Sequence, residues 1–444
     1  MPLIGLVSCV LLNAWSSPLL SQTSQAEEPL PAPLNLEFAI REATRVDHPA
    51  MLAADAGVDV ANAELESADS NYDLESEIQL IAGYVDPNRT ALNQSNDDNS
   101  ANLMARKTLY DFGVTGDRVD SAETLIQASR LEYELARQQQ VVEITRQFLD
   151  VLLSDLKFAW DNESMAMEYV DYDKALERYA LKQVSDVELL QKESDYEVAR
   201  TRRTASETMQ RTSRALLAVA INRPGELSAD LLEPAAVNEE RELPDLNQLV
   251  DEALQRNITL QALRKRERSA RLALDASSKR FRPTLDATFE AHDYSRNAPY
   301  KDDLRARLNL VIPLSESGDQ RSEIARDRAD WLKASADVLQ YESRLRSKVA
   351  NLWSDMQRML TRQQELEVTA ARAEIELDKA RGEYELERRA TLGDAMVNTS
   401  RVRFQRAQNR YQLLLAWMQM NMLTGNDPTE IIALSPSVDG GQTR

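Results

Sequence analysis

The sequence predicts a mainly α-helical chain with a small transmembrane β part, built from one unit that occurs twice in tandem. Three observations carry this. Leu36–Ala43 (LEFAIREA) is matched by Leu246–Ala253 (LNQLVDEA) at an offset of 210, and later features recur in the same order. Each copy contains a stretch of about 65 residues without proline, with apolar positions three and four apart, as in Leu149, Leu152, Leu153, Leu156 and Trp160. Each copy also carries two strand-like runs in which apolar and polar residues alternate, the period of a strand with one wet face.

In chain order, residues 3–20 are apolar and uncharged, and Ser24-Gln25-Ala26 closes them as a small-x-small cleavage site. Residues 1–26 therefore read as an export signal. Leu6-Val7-Ser8-Cys9 also fits a lipoprotein box, which leaves acylation of Cys9 open. The first repeat is expected over 27–235. It starts with a short helix (36–46) and a second helix (49–72), then strands at 74–85 and 103–113. A long helix (114–178) and a closing helix (187–222) complete it. A proline-bearing linker follows, with Pro224, Pro234 and Pro244. The second repeat, 236–430, has helices at 246–256 and 258–281, strands at 284–294 and 304–314, a long helix at 318–383 and a closing helix at 394–423. Residues 431–444 read as a flexible tail. Helices of 65 residues form rods on the order of 100 Å and must pack side by side to bury their apolar stripes.

The strands carry the strongest signal. Leu304, Ala306, Leu308, Leu310, Ile312 and Leu314 share one face, against Arg305, Arg307 and Asn309. Leu285, Ala287, Phe289 and Ala291 oppose Asp286, Thr288, Glu290 and His292. In the first copy Leu74, Ile78, Leu80 and Ala82 oppose Glu75, Glu77 and Gln79, while 103–112 is less regular, with Arg106 and Lys107 on opposite faces. Strands of about ten residues with this pattern fit a membrane barrel, apolar to lipid and polar to the lumen. A soluble sheet with one wet face has the same alternation, but no second sheet is available to cover the apolar side. Four strands cannot close a barrel whose smallest members have about eight, and open edges in lipid leave backbone groups unsatisfied. At least two chains must share one barrel; three would give twelve strands. The connections 86–102 and 293–303 become external loops. Tyr84, Tyr110, Phe112, Phe289 and Tyr294 are candidates for the interfacial aromatic belts.

Composition narrows the function. With 53 basic and 73 acidic residues the net charge is −20, which disfavours nucleic-acid binding. Two histidines (His48, His292) and a single cysteine leave little material for an imidazole or thiolate metal site or a nucleophile–histidine triad. The expectation is a protein that is not an enzyme and holds no cofactor or metal.

At this point the chain resembles the TolC-like outer-membrane efflux family, the channels of tripartite export systems. The resemblance covers about residues 34–425. Leu36, Ala39, Ile40 and Ala43 match the family's opening helix, and Asp47-His48-Pro49 stands at its Asn-Pro turn. Tyr110-Asp111-Phe112-Gly113 resembles its aromatic-Asp-x-Gly corner, and Pro313, Leu314 and Gly318 match the second corner, where Ser315 and Ser317 depart from it. At the helix-to-helix tips the family has aromatic-x-x-Gly and a later Asp. Here Tyr179 is followed by Lys182 and Glu188, and Tyr384 by Glu387 and Gly393-Asp394, so both tip glycines are replaced.

The resemblance implies a homotrimer: a twelve-stranded β-barrel in the Gram-negative outer membrane, continued by a long α-helical barrel across the periplasm. It implies a periplasmic adaptor and an inner-membrane pump of the resistance-nodulation-division, ABC or major-facilitator type as partners, and outer-membrane lipid around the barrel. Tyr384 and Arg389, with Glu188 or Asp394 as carboxylate, stand where the family's periplasmic gate would be. Tyr179, Lys182, Ser185, Glu387 and Thr391 stand at the tips that an adaptor would touch. The alternative is a soluble coiled-coil scaffold or adaptor of the cell envelope, which explains the rods but leaves the alternating strands without a purpose.

Overall fold

The computed structural model describes residues 29–91, 93–225, 230–234, 242–279, 281–295, 302–314, 318–386 and 392–432. The expected export signal (1–26) and Cys9 lie outside the described residues, as does the tail from 433 onward. Among the described residues the same six-element order occurs twice. The first copy has α1 (Leu36–Ala43), α2 (Pro49–Asp69), β1 (Glu75–Ile81), β2 (Ser100–Tyr110), α3 (Val114–Ala180) and α4 (Asp186–Ala220). The second has α5 (Leu246–Arg256), α6 (Ile258–Lys279), β3 (Thr284–Tyr294), β4 (Leu304–Val311), α7 (Gly318–Glu385) and α8 (Leu392–Thr424).

The repeat extends to single hydrogen bonds. His48 caps α2, its Nδ1 accepting from the Ala50 amide at 3.2 Å, with Pro49 in the first turn, where a missing N–H costs nothing. The other ring nitrogen, Nε2, lies 3.1 Å from the Ala220 carbonyl at the end of α4. In the second copy Asn257 accepts from the Leu260 amide at 2.9 Å and donates to the Leu423 carbonyl at 3.1 Å, near the end of α8. One side chain per copy thus joins the start of the second helix to the end of the last. The carbonyls at a helix end need outside donors, and both copies supply one from the same place.

The rods α3 and α7 have 67 and 68 residues. α3 packs along its length against α2 and α4 and also against α6 and α8; α7 packs against α6 and α8. The shorter helices therefore stack in pairs to match the long ones, and the chain is a row of four struts: α2 with α4, α3, α6 with α8, and α7. Polar links tie the struts together. Asp155 of α3 receives both Arg214 guanidinium nitrogens of α4 at 2.6 and 2.8 Å. Ser121 of α3 donates to the Ser269 carbonyl of α6 at 2.8 Å.

The apolar core sits half-way along the rods. Ile144, Phe148 and Leu149 of α3 meet Leu345, Val349 and Met356 of α7, Leu217 of α4 and Leu414, Trp417 and Met418 of α8. The short helices α1 and α5 close this waist from outside, α1 on α3 and α5 on α7 and α8. No helix among the described residues is long and apolar enough to cross a membrane.

At one end of the rods the strands form one antiparallel sheet, in the order β1-β2-β3-β4. β1 stops at Ile81, short of the expected 85; beyond it the same antiparallel register continues as an isolated bridge between Tyr84 and Asp97, with the Gly83 carbonyl accepting from the Asp98 amide at 2.9 Å. β2 begins three residues earlier than expected, since Ser100 pairs with Tyr294. β4 ends at Val311, before Pro313, which has no amide to give to a ladder.

Candidate functional site: the sheet, its corner and the rod tips

The two faces of the sheet divide as the alternation requires. On one side Ile78, Leu103, Ala291 and Leu304 lie in register, followed by Ser76, Ala105, Phe289 and Ala306. Leu80, Leu304 and Leu308 there are 75%, 64% and 71% exposed. On the opposite side Arg307 donates to Glu290 at 2.7 Å, Arg106 to Asp286 at 3.2 Å, and His292 Nδ1 lies 2.9 Å from Asn102 Oδ1. A sheet with a charged, hydrogen-bonded face and a bare apolar face suits water on one side and lipid on the other. The outer edges of β1 and β4 have no partner strand among the described residues.

Helices end the row of struts in the same way. α7 exposes Leu332 and Leu339, then Val368 and Ile375, each pair two turns apart. At the other end of the row α2 exposes Val60, and α4 exposes Val198, Met209 and Leu216. Both layers thus finish with an unmatched flank at each end, and both run in the same order.

The aromatic candidates fall into two groups. Tyr110 and Phe112 sit at the helical end of the sheet, with ring centroids 4.7 Å apart. Tyr84 lies past the end of β1 at the loop end, where its hydroxyl accepts from Asn96 at 2.9 Å. Two belt assignments are corrected. Phe289 is the middle residue of β3, paired with Ala105 and Ala306, so it lies away from either end. Tyr294 shares its side with His292 by strand parity and stacks on it at 5.5 Å, on the polar face.

The corner motif proves to be a cap. Asp111 is buried, and its carboxylate accepts from the Thr115 amide at 2.6 Å, the Gly113 amide at 3.1 Å and the Tyr72 hydroxyl at 2.6 Å. Burial works against its charge, but the hydrogen bonds from Thr115, Tyr72 and Gly113 prevail and hold the carboxyl below its ordinary range. The Tyr72 phenol is pushed up to about 12, first by burial and then by this carboxylate. Phe112 and Gly113 both have positive φ, 58° and 90°, which reverses the chain from β2 into α3. Glycine takes such a conformation without steric cost; phenylalanine does not. The residues 315–317 of the second corner, with Ser315 and Ser317, lie outside the described residues.

The first rod tip keeps a glycine-type turn without glycine. Lys182 has φ 57°, its amide donates to the Tyr179 carbonyl at 2.9 Å, and the Gln183 amide donates to the Arg178 carbonyl at 2.9 Å. This is the left-handed helix stop in which two orphan carbonyls are satisfied. Ser185 then caps α4, its Oγ accepting from the Glu188 amide at 3.2 Å. Glu188 pairs with Arg178 of the same hairpin at 3.5 Å, and Asp186, by hydrogen bonding and charge, raises the Tyr179 phenol.

At the second tip Tyr384 is 60% exposed in the last turn of α7. Asp394, in the first turn of α8, lines a groove of about 400 Å³ with Glu376, Lys379, Glu383 and Asn398. Glu387, Arg389 and Thr391 lie outside the described residues. Sequence reasoning missed how the two hairpins join. A Cβ on Gly393 would overlap the Met167 sulfur of α3, Ser400 donates to Glu163, and Trp160 meets Phe404 at 5.9 Å. The one available signal was a glycine near the start of an otherwise helical pattern. No group of three or more His, Cys, Asp or Glu able to hold a metal ion occurs among the described residues.

The chain contributes four strands and four side-by-side struts, each layer open at both ends among the described residues. Solved structures of outer-membrane channels have this fold. The chain matches CusC, described as forming a transmembrane channel, with a TM-score of 0.69 at 15% identity, covering 88% of this chain and 92% of that one. It matches the Campylobacter jejuni CmeC outer membrane channel with a TM-score of 0.70 at 11% identity, covering 88% and 85%. It matches the Vibrio cholerae outer membrane protein VceC with a TM-score of 0.66 at 16% identity, covering 88% and 96%. No protein-family model and no curated protein matches the sequence. At these identities the likeness is one of fold, and the fold is that of the TolC-like channels.

Proposed function

We propose that the chain is the outer-membrane channel-tunnel of a tripartite efflux or type I secretion system, a passive conduit opened when a periplasmic adaptor and an inner-membrane pump dock. The observation that carries this is the four-stranded sheet with an exposed apolar face and two unpaired edges. Such a sheet is satisfied only when its edges pair with further copies and its apolar face meets lipid. Three copies supply twelve strands and twelve struts, and the flanks of α7 and of α2 with α4 then cover one another. The outer-membrane channels that share the fold support the same reading.

The rod tips, at the end of the rods away from the sheet, form the periplasmic gate in this proposal. Tyr384 and Arg389 link neighbouring rods when closed, with Glu188 or Asp394 as carboxylate. Glu188 then exchanges its own Arg178 for a neighbour. Exposed pairs of this kind contribute about 0–1 kcal/mol each, weak enough for docking to separate them. Tyr179, Lys182, Ser185, Glu387 and Thr391 are the contacts offered to the adaptor.

The test is the mass of the protein extracted from membranes in mild detergent, by light scattering corrected for bound detergent. A mass near three chains, with conductance in planar bilayers that rises in Asp394→Asn, is the expected result. A monodisperse monomer that stays soluble without detergent overturns the reading in favour of a coiled-coil scaffold.

A further inference from the structure

The apolar face of the sheet is not uniform. Near the helical end it sinks into a groove of about 560 Å³, within the size range of small-molecule sites. Ala287 and Ala306 form its floor, and Leu74, Phe289, Leu308 and Lys107 surround it. The register explains the hollow: Lys107, Ala287 and Leu308 lie in one cross-strand row, and Ala105, Phe289 and Ala306 in the next. Three alanines where neighbouring rows carry Leu or Phe leave the depth of an apolar side chain unfilled. Lys107 is an odd neighbour for it. The lysine is exposed on the apolar side, opposite to Arg106, and has no hydrogen-bond or ion-pair partner among the described residues.

Depth along the strand tells which leaflet it meets. Lys107 stands three residues before the end of β2 at Tyr110, about 10 Å along the strand, on the side of the helical rods. A lysine at that depth reaches its ammonium group toward the nearer headgroups while its methylenes stay on apolar surface. A second hollow of about 240 Å³ lies nearer the loops and is lined by Ile78, Leu103, Ala291 and Asp293. It has an acid where the first has a cation, so only the first complements a phosphate.

We propose that the groove under Lys107 holds one acyl chain of an anionic glycerophospholipid from the leaflet facing the rods, with the lipid phosphate on the Lys107 ammonium. The proposal rests on the membrane-channel reading and adds a specific lipid site to it. Its consequence is that each chain carries its own lipid, in a groove lined by residues of one chain across β2, β3 and β4.

Native mass spectrometry of the full-length protein in mild detergent tests this, with phosphatidylglycerol, phosphatidylcholine or lipopolysaccharide added separately. The wild type is expected to retain phosphatidylglycerol up to one molecule per chain, about fivefold in preference to phosphatidylcholine, as one interfacial cation supplies. Lys107→Gln is expected to abolish the preference and Lys107→Arg to keep it. Ala306→Leu, which fills the floor, is expected to lower retention of both phospholipids. Equal preference in the wild type and Lys107→Gln, unchanged retention in Ala306→Leu, or a preference for lipopolysaccharide overturns the site. If the assembly has the mass of three chains and conducts, such a result defeats this inference alone; a soluble monomer defeats the channel reading with it.

Discussion

The waist and the sheet obey opposite rules. At the waist Phe148, Ile144, Leu345, Val349 and Met356 have essentially no solvent exposure, and the buried Glu42 meets Arg223 at 3.1 Å. In the sheet, side chains of the same type stand in the open, and two edges have no partner strand among the described residues. The waist is a finished core within one chain. In the proposed channel the sheet becomes a finished structure only with lipid and neighbouring copies. The same apolar residues thus do two jobs, and which job follows from whether their elements can reach a covering layer inside the chain.

The largest expected effect tests the finished region. Phe148→Ala opens a cavity in the waist and should cost about 3–5 kcal/mol, seen as a lower denaturant midpoint whether or not lipid is present. If the loss appears only in membranes, the two regions are not independent. Next is the sheet. Phe289→Arg places a charge at mid-strand on the lipid face and should cost about 2–4 kcal/mol per chain. Loss of membrane-extracted trimer with helical content retained is the expected readout; normal insertion would break the assignment of faces.

The corner where the sheet meets the rods responds to pH. Because the folded state holds the Asp111 carboxyl low, its contribution is fully present above the ordinary carboxylate value of about 3.9. It is lost as pH falls through the lower folded value. Asp111→Asn should remove that acid-sensitive component and about 1.5–3 kcal/mol with it, since hydrogen bonds to a charged acceptor are the stronger kind. An unchanged acid-unfolding profile in the variant would show that the corner does not depend on the charge. The smallest effect has the opposite sign. Lys182→Gly should stabilise the first tip by about 1 kcal/mol, since glycine takes φ 57° without the clash that lysine accepts. Hydrogen-exchange protection of the amides around Arg178 and Gln183 would report it.

Much of this organisation is legible in the residues. The alternation over 284–294 coincides with β3, Thr284–Tyr294, and the proline-free stretches became rods of 67 and 68 residues. The corner motif was visible as Tyr110-Asp111-Phe112-Gly113, although its chemistry, one carboxylate bonded by Tyr72, Gly113 and Thr115, was not. Tyr294 shares strand parity with His292, so its place on the polar face is readable from the alternation although it ends β3. The tip turn at Lys182 was hidden because its glycine is absent and the left-handed conformation is held by backbone bonds that any residue can make.

The sequence by itself determined the duplicated order of elements, the rods, and which residues of each strand share a face. These follow from periods of 3.6 and 2, which depend only on local backbone geometry. Only the tertiary structure decided that position 393 has no room for a Cβ beside Met167, that Asp155 ties α4 to α3, that Phe289 pairs with Ala105 and Ala306, and that three alanines align beneath Lys107. Those contacts join residues tens to hundreds of positions apart, and no local period records which distant partner a face will meet.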